Sequence, residues 1–140
     1  LGTHPRALPR GYAVLKLIIA GSRSITDYDL LKHLIVKSGL WKQYGKKLEI
    51  VSGMAKGVDA LGVQFAKANK LKLWEFPADW TLGKSAGHIR NRQMGDFADG
   101  LLALWDGQSN GTKGMIDYAR QKGLVVKAYT CHLMWATEEI

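Results

Sequence analysis

The sequence predicts a single α/β domain with a mainly parallel five-stranded sheet and helices on both faces. Three observations lead there. Short apolar runs alternate with segments of helical period, the pattern of strand–helix–strand units. Three polar, glycine-containing segments each directly follow an apolar run: Gly21-Ser22-Arg23, Ser52 to Gly57, and Gly107 to Thr112. The chain has 140 residues, 46% of them hydrophobic and 23% charged, which suits one buried core and no second domain.

Leu15 to Ala20 is almost continuously apolar, as expected of a central strand covered on both faces. Thr26 or Asp27 can cap the next helix, whose Leu30, Leu31, Leu34 and Ile35 keep helical spacing until Gly39 stops it. Leu48 to Ser52 reads as a second strand. Val58, Leu61 and Phe65 mark one face of a helix starting near Gly57. Leu71 to Phe76 is a third strand, ended by Pro77, and Ala78 to Gly87 reads as irregular before a helix over Ile89 to Phe97. Leu101 to Trp105, Lys113 to Lys122 and Leu124 to Tyr129 read as strand, helix and strand. The architecture is Rossmann-like. With the strands ordered 3-2-1-4-5, the direction of winding switches between the first and fourth, and the first and third glycine segments flank one crevice there.

Composition narrows the function classes. No apolar stretch reaches the roughly 18 residues of a membrane span, and the N-terminus lacks a signal-peptide core, so a soluble cytoplasmic protein is expected. Residues 1–12 read as a flexible tail or a processing remnant, and 13–140 as the domain. The one cysteine, Cys131, has no partner for a disulfide, and no histidine pair has zinc-ligand spacing. The net charge of +8 suggests an anionic partner. Many lysines fall on exposed helical positions. Arg23, Lys56, Lys84, Arg90, Arg92 and Lys113 lie in or between the glycine segments and are the charges expected to meet a ligand.

The three segments together predict a phosphate or nucleotide site. Glycine lets backbone N–H groups approach a ligand, and the helix that follows points its positive end at it. Gly21, Ser22 and Arg23 offer N–H groups, a hydroxyl and a guanidinium. Ser52, Gly53, Met54, Ala55, Lys56 and Gly57 have the composition of an anion-binding nest, although no Walker A ending is present. Asp59 suits either the helix dipole or a ribose hydroxyl. Trp80 suits stacking on a base or packing on the core. Arg90 and Arg92, two apart, cannot share a helix face, so one is expected at the ligand and the other elsewhere, with Asn91 satisfying loop backbone. Gly107 and Asn110 lie in the loop before the last helix, and Gly111 and Thr112 open it, where a hydroxyl caps the helix or binds phosphate. His88 is the one histidine inside this region, and Asp79, Asp106 and Asp117 are its other carboxylates; spacing alone assigns no acid–base pair.

These motifs, with Pro77-Ala78-Asp79-Trp80 and Arg90-Asn91-Arg92-Gln93-Met94, resemble the SLOG superfamily, most closely its small bacterial and phage YspA-like members. The resemblance runs from about Leu15 to Tyr129. It implies a domain that binds nucleotides, nucleotide sugars or ADP-ribose-like ligands, with no cofactor required. Two relatives point in different directions. The DNA-processing (DprA-like) family, which loads recombinase on single-stranded DNA, has a similar glycine-serine-arginine turn, serine-glycine loop and arginine-asparagine-arginine element. The phosphoribohydrolases that release cytokinin bases share the turn at Gly111-Thr112, but place a glutamate where this chain has Met115, which argues against hydrolysis by that mechanism.

Three functions follow as expectations: binding of a phosphorylated nucleoside ligand at the C-terminal edge of the sheet, cleavage or transfer of an N-glycosidic bond with Asp59 or Asp106 stabilising the sugar cation, or binding of single-stranded DNA. Whether the chain is an enzyme is left open. The apolar segment Cys131 to Ala136 suits covering the sheet edge or a partner subunit, which would make a homodimer.

Overall fold

The computed structural model describes residues 14–132 and 135–140; the N-terminal tail expected over residues 1–12 lies outside them. Five strands run parallel in the order expected. β1 (Leu15–Gly21) is central, flanked by β2 (Leu48–Ser52) and then β3 (Leu73–Glu75) on one side, and by β4 (Gly100–Trp105) and β5 (Val125–Cys131) on the other.

The sheet has six strands rather than five. β6 (Thr137–Glu139) pairs antiparallel to β5, with Cys131 opposite Thr137. Three residues reading Thr-Glu-Glu carry no apolar alternation, so nothing in their sequence announces a strand. Within the segment Cys131 to Ala136, residues 133 and 134 lie outside the described ones. Cys131 is buried at the end of β5, and the His132 N–H donates to the Ala136 carbonyl where the chain turns back. Trp135 stacks on His33 and donates from Nε1 to Asp27 Oδ2 at 2.6 Å.

Alternation along the central strands splits the core in two. Leu15, Leu17 and Ile19 of β1, with Leu102 and Leu104 of β4, face α1 (Tyr28–Lys37), α2 (Leu40–Tyr44) and α3 (Val58–Ala68). Ile18 and Ala20, with Leu101 and Ala103, face α4 (Ala86–Phe97) and α5 (Asn110–Gln121). Leu15, Leu17, Ile18 and Ile19 are all fully buried. Burial on this scale stabilises by about 1.5–3 kcal/mol per side chain.

Asp27, one of the two expected caps, is the N-cap of α1 and accepts from Leu30 N. Leu30, Leu31, Leu34 and Ile35 are its buried stripe. The stretch expected to be irregular is partly ordered: Trp80–Ser85 forms 3-10 turns interrupted at Gly83 (φ 83°), and α4 begins at Ala86, three residues before the expected start. No helix among the described residues is long and apolar enough to cross a membrane.

Candidate functional site

The C-terminal ends of β1, β2 and β4 open into one cavity of about 410 Å³. The glycines that line this edge serve close packing between loops as much as access. A Cβ on Gly21 would lie 2.1 Å from the Leu104 carbonyl oxygen. One on Gly57, which also has φ +75°, would lie 2.4 Å from the Ser22 carbonyl oxygen and 2.5 Å from Arg23 Cα. At Gly53 a Cβ would intrude on a space shared by Arg90 Nη1 (2.5 Å) and Asp59 Oδ2 (2.8 Å).

Ser22 ties the loops together. Its hydroxyl accepts from Asp106 N at 2.9 Å, and its carbonyl accepts from Ile25 N and Val58 N. It is 1% exposed, so the loops after β1 and β4 and the start of α3 meet on one buried residue. Ser52 is likewise turned inward, its hydroxyl accepting from Met54 N at 3.1 Å and donating to the Asp59 carbonyl.

Asp59 projects from the first turn of α3 into the cavity and is buried. Its Oδ2 accepts from Ala55 N at 3.2 Å. Burial pushes its carboxyl above the ordinary carboxylate range, against the pull of the Ala55 N–H and of the Arg90 and Arg23 guanidiniums. Arg90 reaches across from α4. Its Nη1 donates to the Gly53 carbonyl and, at 3.5 Å, to that of Phe76, while Nε donates to Asn91 Oδ1. Burial draws the guanidinium below the ordinary arginine value, opposed by Asp59. Asn91 in turn donates from Nδ2 to the Gly111 carbonyl at 3.3 Å, joining α4 to the start of α5.

The start of α5 is capped from within the chain. Ser109 Oγ accepts from Thr112 N and contacts Thr112 Oγ1 at 3.1 Å. Asp106 Oδ1 accepts from Gln108 N at 2.9 Å and Ser109 N at 2.8 Å. The Ser109 and Gln108 N–H groups, with the Ser22 hydroxyl, hold the Asp106 carboxyl below the ordinary range despite partial burial. Asp59 and Asp106 therefore line the same cavity with opposite displacements.

Of the residues expected at a ligand, Gly21, Arg23, Ala55, Asp59, Trp80, Arg90, Asn91, Gly111 and Thr112 line this cavity. Gly53, Met54 and Lys56 line an adjoining one of about 510 Å³, which shares Arg23, Ala55, Trp80 and Arg90 with the first. Ser22, Ser52, Gly57, Gly107 and Asn110 line neither. Arg92 lies in a separate groove between α4 and α5, beside Asp117 and Tyr118, as its two-residue offset from Arg90 requires. Lys84, expected among the ligand-facing charges, is at the cavity, as are His88 and Met115. Ala20, Gly87 and Met94 join them without having been singled out as candidates. Met94 had a signal, since it stands one helical turn after Arg90 and shares its face.

Residues 15–83, spanning β1 to the 3-10 turns, match the model of the YspA, cpYpsA-related SLOG family (YAcAr). No curated protein and no solved structure matches the chain. The matched span carries the Gly21-Ser22-Arg23 turn, the Ser52–Gly57 loop and Asp59, and the parallel sheet around it has the Rossmann-like winding that this superfamily shares, so the chain belongs to the SLOG superfamily, within its YspA, cpYpsA-related family.

Proposed function

We propose that this domain binds a phosphorylated nucleoside, that is, a nucleotide, a nucleotide sugar or an ADP-ribose-like compound, in the cavity at the C-terminal edge of the sheet. Membership of a SLOG family supports a nucleotide-related ligand at a coarse level. The observation that carries the finer reading is the charge arrangement at the cavity. Arg23, Lys56 and Lys84 are exposed around the two adjoining cavities, and none of them makes a salt bridge to a described residue. Arg90 lies deeper, 9% exposed. Unpaired cations over a concave wall attract a polyanion of limited size, and Ala20, Met94 and Met115 add an apolar surface suited to a base.

The test is isothermal calorimetry with AMP, ADP, NAD, ADP-ribose, a nucleotide sugar and a short single-stranded DNA at one physiological salt concentration. Saturable one-to-one binding of a small nucleotide, weakened by Arg23→Ala, is the expected result. Binding of the DNA alone would replace this reading with nucleic-acid binding.

A second reading, cleavage of an N-glycosidic bond, is favoured by one observation. Two carboxyls displaced in opposite directions, Asp59 upward and Asp106 downward, share the cavity, as an acid and a base would. Met115 occupies the position of the glutamate used by the phosphoribohydrolases. Chromatography for free base after incubation of concentrated protein with AMP or NAD tests this reading, and intact substrate would end it.

A further inference from the structure

Five of the main-chain donors at this edge are already engaged by side chains. Met54 N goes to Ser52 Oγ, Ala55 N to Asp59 Oδ2, Gln108 N and Ser109 N to Asp106 Oδ1, and Thr112 N to Ser109 Oγ. Two of these four acceptors are carboxylates, so a phosphate placed at the nest or at the start of α5 would face negative charge where sequence reasoning expected open N–H groups. At the mouth, Arg23, Lys56 and Lys84 are all exposed and make no salt bridge to a described residue. Within the wall, Arg90 uses Nε and Nη1 on the protein, and its Nη2 has no hydrogen-bond partner among the described residues. The lining therefore holds two carboxylates within, beside Arg90, and exposed cations at the rim.

Such a polarity fits a ligand with hydroxyls at one end and phosphate at the other. Carboxylates accept from vicinal hydroxyls with charge-assisted geometry, and a ribose offers two such donors side by side. We propose, building on the nucleotide-binding reading above, that the ligand enters sugar first, with its ribose hydroxyls on Asp106 and Asp59 and its phosphates outward on Arg23, Lys56 and Lys84. Asp106 then determines specificity, selecting ribonucleotides over deoxyribonucleotides. The buried Asp59 supplies the second acceptor in the same cavity. The assignment also separates this site from a single-stranded DNA site, whose sugars lack the 2′-hydroxyl and hold the 3′-oxygen in a phosphodiester.

Calorimetric titration of ADP, 2′-deoxy-ADP and 3′-deoxy-ADP into the wild-type protein and into Asp106→Asn tests the proposal. The asparagine keeps an oxygen for the Gln108 and Ser109 N–H groups, and an unchanged melting temperature shows that the loop has kept its form. The wild type should bind ADP roughly tenfold more tightly than either deoxy analogue, the effect of losing one hydrogen bond to a charged group. In Asp106→Asn that preference should shrink toward unity. Lys84→Ala should weaken ADP several-fold and leave adenosine unaffected. Equal affinity for ADP and both deoxy analogues, a preference unchanged in Asp106→Asn, or equal loss of ADP and adenosine binding in Lys84→Ala would overturn the orientation. Absence of binding by all three nucleotides would instead overturn the nucleotide reading on which it rests.

Discussion

At the scale of single residues, the site depends on atoms that are missing. Gly57 combines a left-handed φ of +75° with a Cβ position 2.4 Å from a main-chain oxygen, and neither the Ser22 backbone nor the Arg23 backbone can yield cheaply. Gly57→Ala should therefore cost at least about 1–3 kcal/mol of stability, readable in urea denaturation, from backbone strain and overpacking together. Asp59 gives a prediction with a pH signature. Its carboxyl is raised above the ordinary carboxylate range by burial, so the folded protein holds that proton more tightly than the unfolded chain does. The stabilising contribution of this group is fully present below the ordinary carboxylate pKa and is lost as pH rises through the raised folded value. Asp59→Asn should gain stability relative to the wild type across that rise, with no such gain at lower pH; a difference independent of pH would show that the carboxyl is not displaced.

Residue types were legible here, but their partners were not. Serine, glycine and arginine at strand ends announced an edge rich in polar contacts. That Ser22 and Ser52 spend their hydroxyls on the protein depends on the spacing between loops 84 and 7 residues apart in the chain, which only the fold sets.

At the scale of elements, α5 shows how a helix start is shared between structure and site. Ser109 is its N-cap, with the side chain on Thr112 N. Ser109→Ala should lower stability by about 0.5–2 kcal/mol, the usual worth of such a cap, as measured by thermal denaturation. It would also free the Thr112 N–H, so an unchanged melting temperature would show that the cap contributes nothing. The strands of the parallel sheet were legible because they are buried on both faces and read as apolar runs between turn residues. α4 and α5 start three residues before the positions that the sequence predicts. Ala86-Gly87-His88 and Asn110-Gly111-Thr112 lack the apolar periodicity that betrays a helix, and glycine there argues locally for a loop. The short α2 and β6 have no sequence signal, because five and three residues are too few to display a period.

At the scale of the whole molecule, the two-sided core makes the single cysteine a reporter of global opening. Cys131 is 7% exposed, and burial pushes its thiol up to about 11. A thiol so placed is almost entirely protonated at neutral pH and shielded from solvent. It should react with a disulfide reagent at a rate set by unfolding, and at once in denaturant. Rapid labelling of the native protein at pH 7 would mean that the β5–β6 edge opens by itself.

The parallel sheet positions β1 beside β4, and this brings Arg23, Asp59, Arg90 and Asp106 to one cavity from four separate stretches of sequence. Calorimetric titration of ADP-ribose and ADP into the wild-type protein and into Arg23→Ala, at one physiological salt concentration, tests that convergence most directly. One-to-one binding by at least one of the two nucleotides, weakened about tenfold or more by removal of the guanidinium, is the predicted result. Failure of both to bind the wild type, or equal binding by the variant, would contradict a phosphorylated-nucleoside site at this edge.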